Sequence, residues 1–352
     1  MPALERAGVQ VTLLTRRAEG WDARGVQRVD PFYLGSLWRD WSFARAVTAV
    51  LRREAFDVVQ SHERIPGCDV YRAGDGVHRR WLERRKAGAG ALEQLGIALN
   101  PYHRYVCRAE RRMFEHPRLR AVICNSKLVR DEILATFPIA ANKLHVIYNG
   151  VDLEHFHPRQ RPSARKAARD ELGLRAGDTA FLFVGSGFAR KGVRAAIDAL
   201  VQTANPSFRL IVAGHDRHQA RFVSYARAAG VESQVRFLGP RKDVRPLYAA
   251  ADCLVLPSLY DPFPNAALEA LAMGLPVIVS SSCGAAEIVE AGVNGWVCDA
   301  ADAADVARKM HLASTGVRGE RMAQAARRTA EGYGIDAMAA KLTELYSSLL
   351  RP

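Results

Sequence analysis

Three groups of residues in this chain have the types and spacing of chemistry. The first lies in "PSLYDPFPNAALEALAMG", Pro257 to Gly274, where Asp261 and Glu269 stand eight apart around the start of a helix. Asp261 falls in the loop before that helix and Glu269 one turn inside it. Asn265 is placed to cap the helix. Carboxylates accept hydrogen bonds from sugar hydroxyls, and first-turn N–H groups bind phosphate; a nucleotide sugar needs both. An amphipathic helix behind a capping loop accounts for the same residues. The second group is "VGSGFARKGV", Val184 to Val193, in which a strand ends in small residues and Arg190 and Lys191 lead into a helix. Free N–H groups at a helix start plus two cations suit an anion. The dinucleotide fingerprint fails because Arg190 stands where its third glycine would, and no G-K-[ST] of a phosphate-binding P-loop follows. A tight turn with an exposed basic pair is the plainer alternative. The third group is "AGDGVH", with Asp75 between two glycines and His78 close by; a turn role for Asp75 is common. His215 and His218 in "AGHDRH" have no ligand spacing and read as a polar loop.

The elements that must position these groups alternate strand and helix throughout, the mark of parallel α/β units. At 352 residues the chain suits two domains. In the first half the strands are expected at Val9–Arg16, Phe56–His62, Leu119–Ser126 and Lys143–Gly150. In the second they are "TAFLFVG", "FRLIVAG", "VRFLG", "DCLVLPS", "LPVIVSS" and "NGWVCD". The polar, proline-bearing stretch after Gly150 sets the boundary: residues 1–158 and 159–334 form two facing Rossmann-like domains. Ligands of such sheets bind beyond the carboxyl ends of the strands, here in an interdomain cleft. A last helix, 335–352, places Met338, Leu342, Leu345 and Leu349 on one face and is expected to pack back on the first domain. That domain opens on "VQVTLLTR" without an earlier strand and glycine-rich loop, which reads as a truncated start.

Together, "VIYNGVD", "GSGFARKG" and "DPFPNAALEALAMGLPVI" resemble the retaining glycosyltransferases of family 4, whose GT-B fold has two Rossmann-like domains. The last stretch looks like that family's E-x7-E motif, with Asp261 in place of the first Glu. "RIPGCDVYRAGDGVHRRWL" and "GSGFARKGV" together resemble the branch that adds glucose from UDP-glucose to a lipopolysaccharide heptose. The resemblance implies that Arg190 and Lys191 contact the donor diphosphate and offset charge on the departing UDP. It puts Gly185 and the N–H groups near Asn265, Ala266 and Ala267 beside the donor phosphates. Glu269 would take the ribose hydroxyls, Asp261 those of the sugar, and the backbone at Arg241 the uracil. Asp75 would stand near the reacting sugar, with His78 a weaker candidate. The catalytic set is then Asp75, Arg190, Lys191 and Asp261. The Asp-for-Glu change shortens the reach by one methylene and leaves the sugar open. No nucleophilic carboxylate is assigned, so the resemblance implies same-face substitution through an oxocarbenium-like ion pair. No D-x-D pair is present, so neither metal nor cofactor is expected beyond the donor itself.

Composition narrows the partners. The formal net charge of +13 favours an anionic one. From His78 to Glu115, nine basic residues face four acidic ones, a net +5, with Trp81, Tyr102, Tyr105 and Phe114 interleaved. Arg79, Arg80, Trp81, Arg84, Arg85 and Lys86 therefore suit an anionic membrane carrying a glycolipid acceptor. A solvated helix face with core aromatics fits equally. No nucleic-acid motif is found. Six scattered cysteines without C-x-x-C suit buried thiols of a reducing compartment. No apolar run is long enough to span a bilayer and no export signal stands at the start, so the expected place is cytoplasmic, peripheral on the inner face of the membrane. The rival readings are a UDP-sugar epimerase of similar fold, an NAD-dependent oxidoreductase lacking its fingerprint, and a truncated membrane-binding remnant without activity.

Overall fold

The computed structural model describes residues 2–17, 25–316 and 319–350. The chain divides into two compact units, Met1–Tyr148 with Asp336–Pro352, and Asn149–Ile335.

The first unit holds a two-stranded parallel sheet, β1 (Leu13–Thr15) and β2 (Val26–Arg28). Beside it in the chain is a four-stranded parallel sheet, β3 (Gln60–Ser61), β4 (Val70–Ala73), β5 (Ala121–Cys124) and β6 (Leu144–Val146), in that spatial order. Side chains alternate along β5. Ala121 and Ile123 meet Leu342 and Leu345 of the helix Ile335–Leu350, while Val122 and Cys124 meet Met113, Phe114, Val129 and Ile133. The last two residues of the helix expected over 335–352 lie outside the described ones.

Strands here are shorter than the sequence suggests. Only Leu13–Thr15 of Val9–Arg16 and Gln60–Ser61 of Phe56–His62 pair in ladders. β2 and β4 are additions. β4 is concealed by its charges: Asp69 and Arg72 flank and interrupt an otherwise apolar "VYRA". Both are buried. Asp69 is compensated by the Val59 N–H at 2.9 Å and Arg118 Nε at 2.9 Å, as a buried charge requires.

The second unit is one six-stranded parallel sheet. Its strands are β7 (Thr179–Val184), β8 (Phe208–Ala213), β9 (Val235–Gly239), β10 (Cys253–Leu256), β11 (Val277–Ser280) and β12 (Gly295–Cys298), in the order β12-β11-β10-β7-β8-β9. All six expected strands are present. β10 and β11 are buried along their whole length, as parallel strands covered on both faces are.

The units part at Tyr148/Asn149 rather than at 158/159. Backbone pairing explains the difference. The Val151 N–H donates to Tyr333 O at 2.9 Å and the Ile335 N–H to Val151 O at 3.1 Å. The proline-bearing stretch is also structured. Its helix Arg161–Glu171 sends Arg165 and Arg169 onto Asp252 and the carbonyls of Ala249, Ala250 and Ala251. Among the described residues no helix is long and apolar enough to cross a membrane.

Candidate active site

β7 and β10 are neighbours, and β8 lies on the far side of β7. The strand order reverses between them, and loops at such a point gather ligands. The loop after β7 does not run directly into one helix. It forms the short helix Phe188–Lys191, stops at Gly192 with φ +84°, and resumes as the helix Val193–Thr203. Glycine is required at that stop, because a Cβ on Gly192 would lie 1.8 Å from Pro257 O, in the loop after β10. The two loops are also joined by the Leu259 N–H, which donates to Arg190 O at 2.9 Å.

This contact brings the predicted cations to the predicted carboxylate. Lys191 Nζ lies 2.8 Å from Asp261 Oδ2, and Arg190 Nη1 lies 4.0 Å from the same oxygen. Arg190 is held by its bond to Tyr260 O at 3.0 Å. Asp261 is only 4% exposed. Its backbone is fixed by its N–H to Ser282 O and by the Gly284 N–H to its own carbonyl. Gly185 belongs to this arrangement through the room it leaves. A Cβ there would meet Lys191 Cδ at 2.6 Å, so the lysine stem lies across it.

Two expectations about helix starts are corrected. The cap of the helix Asn265–Ala272 is Pro264, which offers no side-chain acceptor. Asn265 is the first helical residue. Its Oδ1 accepts from Asn149 Nδ2 at 2.7 Å, and the same Nδ2 lies 3.1 Å from Phe263 O. The "YNG" motif therefore fixes this helix start. Gly150 must follow because a Cβ there would sit 2.8 Å from Ile335 Cα. Ala266 and Ala267 are buried, and the Ala267 N–H donates to Pro264 O at 3.1 Å. The anion seat expected at the turn after β7 is occupied in part internally, at its first amide. The Phe188 N–H donates to Asp216 Oδ2 at 2.7 Å, and the His218 N–H to Asp216 Oδ1 at 2.7 Å. The basic pair is what the segment's side chains offer an anion. His215 and His218 serve the loop, the first donating its N–H to Ser186 Oγ at 3.1 Å.

Glu269 is half-buried and accepts from the Tyr248 hydroxyl at 2.8 Å. Burial pushes its carboxyl above the ordinary range, against the opposing pull of the Tyr248 bond and of the His155 and Lys191 charges. Arg241 is exposed on the loop after β9, with β8 between that strand and β7.

Asp75 belongs to the first unit, on an exposed turn after β4. Three side chains pin that turn. Asn125 Nδ2 donates to Gly74 O at 3.1 Å, and Arg64 Nη2 lies 3.4 Å from Gly76 O. Glu110 Oε1 accepts from the His78 N–H and from Arg64 Nε, both at 3.1 Å. His78 faces His103 at 3.1 Å. Burial, with the Arg64 and His103 charges, holds His78 down to about 3.

The residues expected to face a membrane lie on the helix His78–Ala87. Their charge is largely matched: Arg79 and Arg80 share Glu83, Arg84 pairs with Glu132 and Arg85 with Glu93. Trp81 and Lys86 are half-buried. The sequence reading passed over two exposed apolar strips. One comprises Phe32, Leu34, Trp38 and Trp41. The other is Leu92, Leu95 and Leu99 of the helix Ala91–Leu99, with Leu92 88% exposed. The three-and-four spacing of that leucine strip was the available signal.

Two facts define the class: two Rossmann-like parallel sheets and a carboxylate–cation group at the point of strand reversal, the layout of a GT-B glycosyltransferase. Residues 164–329 match the glycosyl transferases group 1 family and residues 1–155 match glycosyltransferase family 4. The lipopolysaccharide glucosyltransferase WaaG of Escherichia coli (strain K12) is 29% identical over 243 residues, 68% of this chain and 63% of that protein. The alignment thus spans less than two-thirds of that relative's length. A D-inositol 3-phosphate glycosyltransferase of Mycobacterium sp. (strain KMS) is 30% identical over 335 residues, 86% of this chain and 73% of the relative. Among solved structures, WaaG superposes with a TM-score of 0.83 at 23% identity, covering 98% of this chain and 93% of its own. Anabaena Alr3699/HepE, solved in complex with UDP-glucose, gives 0.70 at 22% identity, covering 92% and 86%. This chain belongs to the group 1/family 4 glycosyltransferases.

Proposed function

We propose that the protein is a retaining hexosyltransferase that moves glucose from UDP-glucose to a heptose of the lipopolysaccharide core or a related glycolipid. The observation that carries this reading is the Lys191–Asp261–Arg190 group, with Glu269 eight residues on. Two cations beside a buried carboxylate suit a diphosphate-linked sugar: the cations take the diphosphate and the carboxylate takes sugar hydroxyls. The glycosidic bond to the diphosphate breaks while the acceptor oxygen bonds the same face of the anomeric carbon. The acceptor's proton passes to the departing phosphate oxygen. Arg190 and Lys191 stabilise the charge that develops there. Asp75 is assigned a polar contact to the reacting sugar, and the backbone at Arg241 one to the uracil. The charge is supplied by side chains, so no resident metal or cofactor enters the reading. The name of the WaaG relative and the ligand of the Anabaena structure support the choice of donor and acceptor; the inositol-phosphate relative marks the competing acceptor.

We assign the acceptor to the inner face of an anionic membrane. The net +13 charge and the exposed leucine and tryptophan strips of the first unit support this. Because the helix His78–Ala87 is largely ion-paired, the apolar strips carry more of the membrane reading than its arginines do.

The test supplies UDP-glucose, UDP-galactose or GDP-mannose, with core oligosaccharide lipid in anionic vesicles, with inositol 3-phosphate, or with no acceptor. The expected outcome is an α-linked glucosyl product on the lipid alone. Transfer to inositol phosphate would overturn the acceptor, and UDP-galactose formed from UDP-glucose without acceptor would overturn the reaction class.

A further inference from the structure

Tyr248 sits on the six-residue helix Arg245–Ala250 with its ring fully buried. Phe156 meets that ring edge-on, 6.0 Å between centroids. A buried tyrosine hydroxyl must find a partner. This one has a single proton and two acceptors, Glu269 Oε2 at 2.8 Å and Ala266 O at 3.3 Å. Both acceptors lie on the helix Asn265–Ala272, one turn apart. The shorter bond goes to the carboxylate, as a charge-assisted bond should. Glu269 is thus held by a group that reaches it from a different helix, itself packed into the core.

We propose that Tyr248 is the positioning residue of the donor site: its hydroxyl binds Oε2 of Glu269 and sets the carboxylate so that Oε1 meets the ribose diol of the nucleotide. This rests on the reading of Glu269 as the ribose acceptor. A glutamate has three rotatable bonds, and fixing them before the ligand arrives removes an ordering cost from binding. Tyr248 touches no reacting atom, so its effect falls on donor affinity and not on the bond-breaking step.

The groups facing Glu269 are Tyr248, His155 and Lys191. The Tyr248 bond favours the ionised carboxylate, whereas burial opposes it. Ribose binding needs the ionised form, so UDP affinity falls as the pH drops through the raised value of Glu269. Removing the hydroxyl raises that value further and moves the loss to higher pH. Tyr248 itself stays protonated throughout, since burial and then the Glu269 charge hold it well above 10.

The experiment measures by calorimetry the affinities of UDP and of 2′,3′-dideoxy-UDP between pH 5 and 8, for wild type, Tyr248→Phe, Glu269→Ala and the double variant. Tyr248→Phe is expected to weaken UDP roughly tenfold, to leave dideoxy-UDP unchanged, and to shift the acidic loss of affinity upward. It should raise the KM for the sugar donor with little change in kcat. In the Glu269→Ala background it should have no further effect. Wild-type UDP affinity in Glu269→Ala would sink the reading of Glu269 itself. A weakened Glu269→Ala beside a Tyr248→Phe with unchanged affinity and pH profile would sink the role of Tyr248 alone. Equal weakening of both ligands, or additivity in the double variant, would reduce Tyr248 to a packing residue. Should Tyr248→Phe fail to fold, 3-fluorotyrosine at position 248 tests the same bond. It keeps the ring and the hydroxyl, donates more strongly to Glu269, and should move the acidic loss of UDP affinity downward; an unchanged profile would sink the role of Tyr248.

Discussion

The carboxyl ends of the two larger sheets carry differently built surfaces. In the second unit the main side chains of the site already have partners: Lys191 has Asp261, Glu269 Oε2 has Tyr248, Asn265 has Asn149, and Asp216 has the Phe188 amide. Glycines press the loops together there, Gly192 against Pro257 and Gly214 against Gly185. In the first unit the equivalent end is less complete. Tyr71 Oη, Glu110 Oε2 and Asn125 Oδ1 are buried without a hydrogen-bond partner, around the turn that carries Asp75. Gly74 in that turn has nothing within 4 Å of where a Cβ would be. A surface satisfied in advance grips one unchanging chemical group. A surface with unspent hydrogen-bonding capacity is finished by whatever polar ligand or water it takes. That division suits the proposed reading, in which the second unit takes the nucleotide sugar and the first takes the acceptor.

The comparison can be broken most directly at Lys191. Replacing it with Ala should lower transfer at least ~100-fold. It should also cost about 3 kcal/mol of stability, because buried Asp261 loses its 2.8 Å partner and keeps only Arg190 at 4.0 Å. Adding Asp261→Asn should restore the melting temperature without restoring turnover. Near-normal turnover in the single variant would strip the second unit of its donor role.

A smaller effect sharpens the contrast in rigidity. Gly192→Ala puts a methyl 1.8 Å from Pro257 O at φ +84°, and should cost roughly 2–4 kcal/mol. Gly74→Ala meets open space, and should stay within about 0.5 kcal/mol. Chemical denaturation of both variants checks this, and equal costs would erase the distinction.

A further effect appears only in acid. His78 is held to about 3 in the folded protein, so between its ordinary value of 6.5 and about 3 the unfolded chain binds the extra proton. Stability is therefore full above pH 6.5 and falls as the pH drops toward 3, by at most ~1.4 kcal/mol per pH unit and less for a half-buried ring. His78→Gln should flatten that slope, measured by unfolding at several pH values. An unchanged slope would show that the ring is not a source of acid lability.

The second unit was legible because its strands are mostly apolar runs, with a single arginine near the start of β8 and of β9, and its site residues sit at strand ends in recognisable spacing. The first was legible in outline only. β4 was hidden by Asp69 and Arg72, whose neutralising partners cannot be read from neighbouring letters. Within the site, residue types were readable and their pairings were not. Lys191 reaches a carboxylate 70 positions away and Tyr248 one 21 away. Asn265 looked like a cap because its type favours that role; a preceding proline took the position, and Asn149, 116 positions earlier, took the side chain.

The pairing of Val151 with Gly334 has a consequence for how such enzymes can be rebuilt. It makes the second unit an insertion whose entrance and exit are laced side by side, with Gly150 against Ile335. A segment whose ends already touch can be excised, transplanted or swapped with little loop-closure penalty. Shuffling this cassette between family members would exchange one half of the catalyst while leaving the host's first and last segments to find each other as before.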